Sequence, residues 1–241
     1  MCKGGWYEMK YFYDMHIHSA LSPCADNDMT PNNIVNMALI KGLDIIAVTD
    51  HNTCGNVRAV MRVSGDRLLV IPGMEVETRE EVHMVCYFPD IESAEKMEAV
   101  VKQNMPKIIN REEIYGEQLY MDEEDNVIGK EKYLLVTATD LTVSKTIEYA
   151  KKFNGIAIPA HIDRSSYSII SNLGFISDEL DISSVEITKK NREKLFDEYK
   201  KYNIISNSDA HYLEDISEAE FFVKNMSKNA EKLIHYLCKK E

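Results

Sequence analysis

Residues 43–51 have the sequence LDIIAVTDH, in which an apolar run ends in polar side chains. The run Leu43–Val48 predicts a strand that is buried on both faces. His51 follows the predicted end of this strand. The preceding segment, Thr30–Lys41, predicts a helix that begins with a capping threonine and a proline and ends at Gly42. Together these segments predict one helix-to-strand unit of an α/β fold.

The same pattern recurs along the chain. Six further apolar runs predict strands, at residues 11–15, 68–71, 83–88, 156–159, 184–187 and 204–207. Helical patterns lie between most of them, which predicts a parallel sheet, either open and doubly wound or closed into a barrel. Polar residues follow five of the predicted strand ends: His16, His51, Glu75, His161 and Asp209. Because strand ends converge on one mouth in a closed barrel, we favour an irregular barrel of about seven strands.

Composition limits the classes of protein. A chain of 241 residues with 44% hydrophobic residues predicts a single domain over residues 1–241. The polar segment at about 106–132 predicts a hairpin or irregular insertion. Forty acidic against 28 basic residues give a net charge of -12. Stable binding to long nucleic acid is therefore not expected, and a small anionic substrate would need local positive charge, such as bound metal ions.

Cysteine usage and hydropathy predict a cytoplasmic protein. The five cysteines are scattered and form no C-x-x-C pair, which argues against a disulfide framework or a thiolate zinc site. The sequence has no apolar signal core and no run of about 18 apolar residues, so no association with a membrane is expected.

Six of the seven histidines lie at or beside predicted strand ends. His16 and His18 are two residues apart, as are Asp209 and His211, so each pair can present two ligands to one site from an extended segment. Imidazoles and carboxylates without thiolates suit Zn, Mn or Fe with open positions for water. A single histidine is as well explained by a hydrogen bond near the core. Six together favour a metal centre.

The ordered motifs resemble a known family. They are His16-Ile17-His18-Ser19, Thr49-Asp50-His51, Gly73-Met74-Glu75, His83, Pro159-Ala160-His161 and Ser208-Asp209-Ala210-His211. In this order and spacing they resemble the polymerase and histidinol phosphatase (PHP) domain, over nearly the whole chain. The resemblance implies a distorted (β/α)7 TIM-like barrel that hydrolyses phosphoesters with three divalent metal ions at its mouth, their identity (Zn, Mn or Fe) being open.

The resemblance also implies a ligand set. The first metal is assigned to His16, His18, Glu75 and Asp209, the second to Glu75, His83 and His161, and the third to His51 and His211. Glu75, Asp209 and His211 are the predicted catalytic residues.

The third metal site needs one more ligand from the loop after the first motif, and residues 22–28 (SPCADND) contain no histidine. Members resembling the small-molecule branch use an aspartate five residues before the helix-starting proline. Asp26 stands in that position relative to Pro31 and is the predicted ligand. Cys24 and Asp28 remain alternatives.

Three further polar residues remain. Arg164 and Asp50 each allow two interpretations, and His235 allows a structural one. Arg164 is predicted to bind a substrate phosphate through its planar guanidinium, although a surface ion pair explains it equally well. Asp50 is predicted to orient a ligand or act as a general acid, or else to cap the following helix. His235, which has no partner motif, is predicted to be structural.

The predicted function is that of a metal-dependent phosphoesterase, which hydrolyses a small phosphomonoester or a nucleotide with a metal-activated hydroxide at the trinuclear site. Two alternatives remain: a nuclease that acts on nucleic acid ends, and a non-catalytic metal-binding or regulatory domain. The sequence leaves the physiological ester and the oligomeric state open.

Overall fold

A computed structural model describes residues 9–224 and 227–239. Within these residues ten strands occur: β1 (Lys10–Ile17), β2 (Ile45–Val48), β3 (Leu69–Glu77), β4 (His83–Tyr87), β5 (Leu119–Met121), β6 (Val127–Lys130), β7 (Ile156–Pro159), β8 (Ser184–Glu186), β9 (Asn203–Ile205) and β10 (Phe222–Lys224).

The described helices occupy most of the segments between strands. They are α1 (Pro31–Ile40), α2 (Val57–Ser64), α3 (Ile91–Asn104), α4 (Glu112–Tyr115), α5 (Val143–Lys152), α6 (Ile169–Leu173), α7 (Arg192–Tyr199) and α8 (Ala230–Leu237). Two 3-10 turns, Lys189–Asn191 and Leu213–Asp215, complete them. Thr30 caps α1 by accepting a hydrogen bond from the Asn33 N–H, as predicted.

The strands form a curled six-stranded sheet, a separate parallel pair and a hairpin. The sheet has the order β10-β1-β2-β3-β4-β7, β8 pairs with β9, and β5 pairs with β6 within the segment 106–132. The prediction of a parallel sheet is only partly confirmed, because β4 runs antiparallel to both β3 and β7, and β10 runs antiparallel to β1. The result is an α/β fold with a curled, half-barrel sheet.

Strand β3 changes partner halfway along its length, which explains one difference from the prediction. Its first half pairs in parallel with β2, ending at the pair Val48 and Pro72, and its second half pairs antiparallel with β4 from Gly73 onward. A Cβ at Gly73 would lie 2.9 Å from the carbonyl oxygen of Cys86, so only glycine permits this close approach. Glu75 therefore lies inside a strand and does not follow one.

Buried apolar side chains cover both faces of the curled sheet. The larger cluster packs between the sheet and helices such as α1 and α3, with Ile34 and Met97 fully buried. The smaller one fills the inside of the curl, where Met15, Ile71 and Ile158 meet. In the described part of the chain no helix is both long and apolar enough to cross a membrane.

Candidate metal centre

Polar side chains from several strands meet at one end of the curled sheet. His16 and His18 come from the end of β1, Glu75 from the middle of β3, and His83 from the first position of β4. The segments after β2, β7 and β9 supply His51, His161, Asp209 and His211. Except for His211, each of these side chains is buried, with an exposed fraction of 11% or less.

The Glu75 carboxylate is the centre of this cluster. Its oxygens lie 3.0 Å from His83 Nδ1, 3.1 Å from His51 Nδ1, 3.3 Å from both His16 Nε2 and His161 Nε2, and 3.5 Å from His18 Nε2. Five imidazoles around one buried carboxylate form the kind of mixed nitrogen and oxygen donor set that binds divalent transition metals.

The donor atoms divide into three groups, each with its atoms within 4.8 Å of one another. The groups are His16, His18, Glu75 and Asp209; His51, Glu75 and His83; and His18, His51 and His211. The first has the same members as the predicted first metal site. In the second, His51 replaces His161, although His161 also contacts Glu75. The third contains His51 and His211, as predicted, together with His18.

Glu186 orients the His16 imidazole by contacting Nδ1, the nitrogen that does not face Glu75. Its carboxylate lies 3.0 and 3.1 Å from His16 Nδ1 and also accepts hydrogen bonds from the His161 N–H and the Asn207 side-chain amide. Because an ionised carboxylate only accepts, Nδ1 carries a proton, and Nε2 of the neutral imidazole would turn its lone pair toward Glu75 and Asp209. Glu186 was absent from the predicted site, yet it ends the short predicted strand at residues 184–187.

Asp50 holds His18 through a serine. The hydroxyl of Ser22 donates to Asp50 Oδ1 at 2.7 Å and accepts from His18 Nδ1 at 2.9 Å. The lone pair of the other nitrogen, His18 Nε2, is then available to a ligand, and this atom lies 3.0 Å from Asp209 Oδ1. Asp50 also accepts from the backbone and side chain of Ser19, whereas α2 has Asn56 at its N-cap. The alternative that Asp50 caps the following helix is therefore wrong.

Two site residues have left-handed backbones that L-amino acids rarely adopt. His161 has φ 28° and Asp209 has φ 55°. Strain of this kind costs about 1–3 kcal/mol per residue and is found mainly where function requires it. Here it turns both side chains toward Glu75 directly after their strands.

The protonation equilibria indicate a site that requires positive charge. Burial alone would lower the pKa of His16, but Glu186, Asp209 and Glu75 outweigh it and raise that pKa well above the ordinary value. Burial alone would raise the pKa of Glu75, but His83 and His16 outweigh it and lower that pKa well below the ordinary value. The carboxylates thus stay ionised and attract a cation or a proton.

Several buried side-chain nitrogen and oxygen atoms lack a hydrogen-bond partner. They include His16 Nε2, His51 Nδ1 and Glu75 Oε1, which all face the centre of the cluster. His16 Nε2 lies only 3.2 Å from Asp209 Oδ1 and 3.3 Å from Glu75 Oε1. Buried lone pairs facing one another are costly unless a cation lies between them. The residues present therefore fit divalent metal ions.

The loop proposed to complete the third site has an unexpected geometry. Asp26 is exposed, and its Oδ1 accepts a hydrogen bond from the Asp28 N–H at 2.8 Å. Cys24 is also exposed. Burial alone would raise the pKa of its thiol, but the imidazoles of His211 and His51 lower it to about 7. None of the three candidates, Cys24, Asp26 and Asp28, belongs to a described donor group.

Arg164 lies at the rim of the centre. Its Nη1 is 2.6 Å from Asp209 Oδ2, and its side chain is 44% exposed, so the guanidinium joins the buried cluster to solvent. It also lines a cleft of about 380 Å³, together with His161, Asp209, Lys189 and Lys190. His235 lies in α8, outside the centre, and its side chain is exposed.

Replacing Glu186 by glutamine is expected to lower metal affinity or activity about 10- to 100-fold, the usual cost of losing a group that orients a ligand. Glutamine offers one acceptor oxygen in place of two and carries no charge, so it fixes the His16 tautomer less strongly. Titration of the chelated protein with metal measures the change. Glu193→Gln, an exposed glutamate on α7, is the matched control, and unchanged affinity in Glu186→Gln would contradict the orienting role.

The fold and the site together define a class. A buried imidazole and carboxylate cluster at the mouth of a curled α/β sheet is typical of metal-dependent hydrolases. The PHP domain family matches residues 14–219, and the chain therefore belongs to this family, whose members hydrolyse phosphoester bonds.

Curated relatives match over shorter stretches. The 5'-3' exoribonuclease Rnm of Salmonella typhimurium is 34% identical over 79 residues, which are 30% of this chain and 26% of that protein. An uncharacterized protein of Methanocaldococcus jannaschii is 30% identical over 90 residues, or 37% of this chain and 11% of that protein. Both matches thus span a minor part of the relative.

Solved structures share the fold at low identity. The lesion-specific endonuclease EndoQ of Pyrococcus furiosus has a TM-score of 0.72 and 19% identity, and the alignment covers 95% of this chain and 56% of that one. A two-domain protein of Bacteroides vulgatus that contains a predicted PHP-like metal-dependent phosphoesterase has a TM-score of 0.56 and 15% identity, with 96% and 63% covered.

Proposed function

We propose that this chain hydrolyses a small phosphomonoester, nucleotides included, at the centre built around Glu75, with three divalent metal positions. The observation that carries the proposal is the set of five imidazole nitrogens within 3.5 Å of the buried Glu75 carboxylate, at the edge of a cleft. Glu75 and Asp209 supply the anionic donors, and the histidines supply the neutral ones.

The chain's own residues account for much of the chemistry. Bound divalent ions would neutralise phosphate oxygens and lower the pKa of a bound water to about 7. Glu186 and the Ser22 hydroxyl hold the imidazoles of His16 and His18 in the tautomer that presents Nε2. Arg164, held against Asp209, has further N–H groups for a substrate oxygen.

The cleft supports a small substrate. Its volume of about 380 Å³ lies within the range of about 300–1,000 Å³ that is usual for small-molecule sites. Basic and acidic residues both line it: Arg164, Lys189 and Lys190 beside Asp209, Glu214, Asp215 and Glu218, within a chain whose net charge is -12. Bound metal ions would supply the local positive charge that attracts a small phosphate ester, whereas a long phosphate backbone meets general repulsion.

The proposal includes a closed, distorted (β/α)7 barrel around the centre. The β8 and β9 pair supports it, because hydrogen bonds connect the pair and the segment after β9 to β7 on one side and to β1 on the other. The Ile162 N–H donates to the Glu186 carbonyl at 2.9 Å, and the His18 N–H donates to the Ala210 carbonyl at 2.9 Å. Residues that follow β7 and β9 are thereby joined to β8 and β1.

A nuclease acting on nucleic acid ends is the second candidate. The sequence match to the exoribonuclease Rnm and the fold shared with EndoQ favour it. The acidic net charge argues against it. A non-catalytic metal-binding domain is the third candidate, and the nearly complete donor set argues against that one.

Phosphate release is expected from one or more small esters once the chelated protein is reloaded with Mn²⁺, Zn²⁺ or Fe²⁺. The measurement is a panel of nucleoside monophosphates and sugar phosphates, run beside end-labelled single-stranded RNA and DNA. Faster turnover of the strands than of the mononucleotides would favour the nuclease. Fewer than two ions per chain, with no hydrolysis of any substrate, would support the non-catalytic domain.

A further inference from the structure

The loop between β7 and α6 carries a tyrosine whose ring covers a histidine of the centre. The ring centroids of Tyr167 and His83 are 4.8 Å apart and their planes differ by 24°, so the two rings are stacked. His83 Nδ1 in turn lies 3.0 Å from Glu75 Oε1. Only the imidazole of His83 therefore separates the Tyr167 ring from the central carboxylate.

The other side of this ring is open to solvent. Tyr167 is 47% exposed, whereas the histidine that it covers, His83, is 9% exposed. Because one face of the phenol ring lies on His83, the exposed area belongs to the opposite face and to the ring edge. A free aromatic face at the rim of a polar centre offers a surface on which a planar group can stack.

The backbone fixes Tyr167 in this position. Its φ is 54°, in the left-handed region that residues other than glycine rarely adopt. The His83 N–H donates to the Tyr167 carbonyl at 2.9 Å. The next residue, Ser168, is fully buried, and its hydroxyl donates to the Arg164 carbonyl at 2.8 Å. The exposed ring is thus presented by an anchored loop, and strained backbones of this kind are found mainly at functional sites.

The Tyr167 ring and the cleft are both adjacent to the central carboxylate. Arg164, three residues before Tyr167, lines the cleft, and Tyr167 lies outside it, over His83. His161, which also lines the cleft, and His83 lie 3.3 and 3.0 Å from Glu75. A phosphate group bound at Glu75 would therefore have both the cleft and the Tyr167 ring beside it.

We propose that Tyr167 determines substrate specificity by stacking on the base of a nucleotide whose phosphate ester is bound at Glu75. The inference rests on the proposed function, and it narrows the substrate class from small phosphate esters to nucleotides. Because every nucleobase has a π-face, stacking selects for the presence of a base more than for its identity. A sugar phosphate without a base gains nothing from the ring.

Two esters that differ in the base test the inference. Adenosine 5'-monophosphate and ribose 5-phosphate carry the same phosphate ester on ribose. In Tyr167→Leu we expect the KM for the nucleotide to rise at least about 5-fold, the lower end of what stacking one base on an aromatic ring contributes. The kcat/KM for ribose 5-phosphate should be nearly unchanged. Tyr167→Phe keeps the ring and should keep the preference for the nucleotide. Tyr236→Leu, which changes a partly exposed tyrosine on α8, is the matched control.

Binding of adenosine to the metal-loaded protein gives a readout that does not depend on turnover, since the nucleoside has the base but no phosphate. Calorimetry should show a Kd at least about 5-fold higher in Tyr167→Leu than in wild type. Wild type and Tyr167→Phe should bind adenosine equally well.

The outcomes separate this inference from the proposed function. Equal losses on both esters in Tyr167→Leu would mean that the ring only supports His83, and would overturn the inference while leaving the phosphoesterase intact. A wild type that prefers neither ester would overturn it as well. A wild type that hydrolyses no ester, yet binds adenosine in a way that depends on Tyr167, would overturn the proposed function and leave the stacking site standing. Neither hydrolysis nor adenosine binding would overturn both.

Discussion

Replacing Glu75 by glutamine is expected to lower phosphate release by more than about 100-fold and to reduce the number of bound metal ions. Loss of a group that only orients a ligand already costs about 10- to 100-fold, and Glu75 is itself the proposed shared ligand. Its oxygens lie within 3.5 Å of five imidazoles. The neutral amide removes the negative charge that would hold two cations close together. Metal content and steady-state turnover measure both effects.

The substitution has a matched control and a folding check. Glu95→Gln changes an exposed glutamate on α3 that pairs with Arg58 and belongs to no described donor group, so it should leave metal content unchanged. Glutamine has nearly the shape of glutamate, so circular dichroism should show a folded chain. Full metal content together with at least a tenth of the wild-type turnover in Glu75→Gln would contradict the bridging role.

The sequence predicts much of the scaffold because apolar periodicity reports burial. All seven predicted strands occur, as does the helix predicted at Thr30–Lys41, which is α1. The spacing of His16 and His18 also predicts their shared orientation, and both Nε2 atoms do approach Glu75 and Asp209. Local rules suffice here, because an extended strand presents alternate residues to one side.

The direction of the strands could not be predicted from the same rules. Helical connections favour parallel neighbours, but β3 and β4 are joined by the short segment Thr78–Val82 and therefore pair antiparallel. Strand β10, three residues long and only partly buried, has too little apolar periodicity to be recognised. Pairing of this kind depends on contacts between distant segments.

Supporting groups are the part of the site that local pattern does not reveal. Glu186 reaches His16 across 170 positions of sequence, and no motif links the two residues. The same holds for the loop from Ser22 to Asp26, which is anchored to His51 and His211 by hydrogen bonds between segments that are distant in sequence.

Removing bound metal with a chelator is expected to lower the melting temperature by about 5–10 °C for each tightly bound ion. A ligand present at 100 times its Kd stabilises the folded state by about 2.7 kcal/mol per site. For a chain of this length, each kcal/mol corresponds to about 2–4 °C. Thermal unfolding of chelated protein, followed by readdition of Zn²⁺ or Mn²⁺ at rising concentration, measures the shift and its saturation.

The physical reason lies in what the folded chain has buried without a partner. Without a cation, Glu75 and Asp209 remain ionised at 1% and 9% side-chain exposure, and His16 Nε2 and His51 Nδ1 have no hydrogen bond. Unfolding hydrates all of these groups, so metal acts on the folded state alone and its removal costs stability. Glu95→Gln should show the full shift and Glu75→Gln a smaller one. Equal melting temperatures with and without metal would mean that the cluster is satisfied by its own protons, and that the imidazoles around Glu75 serve packing and not metal binding.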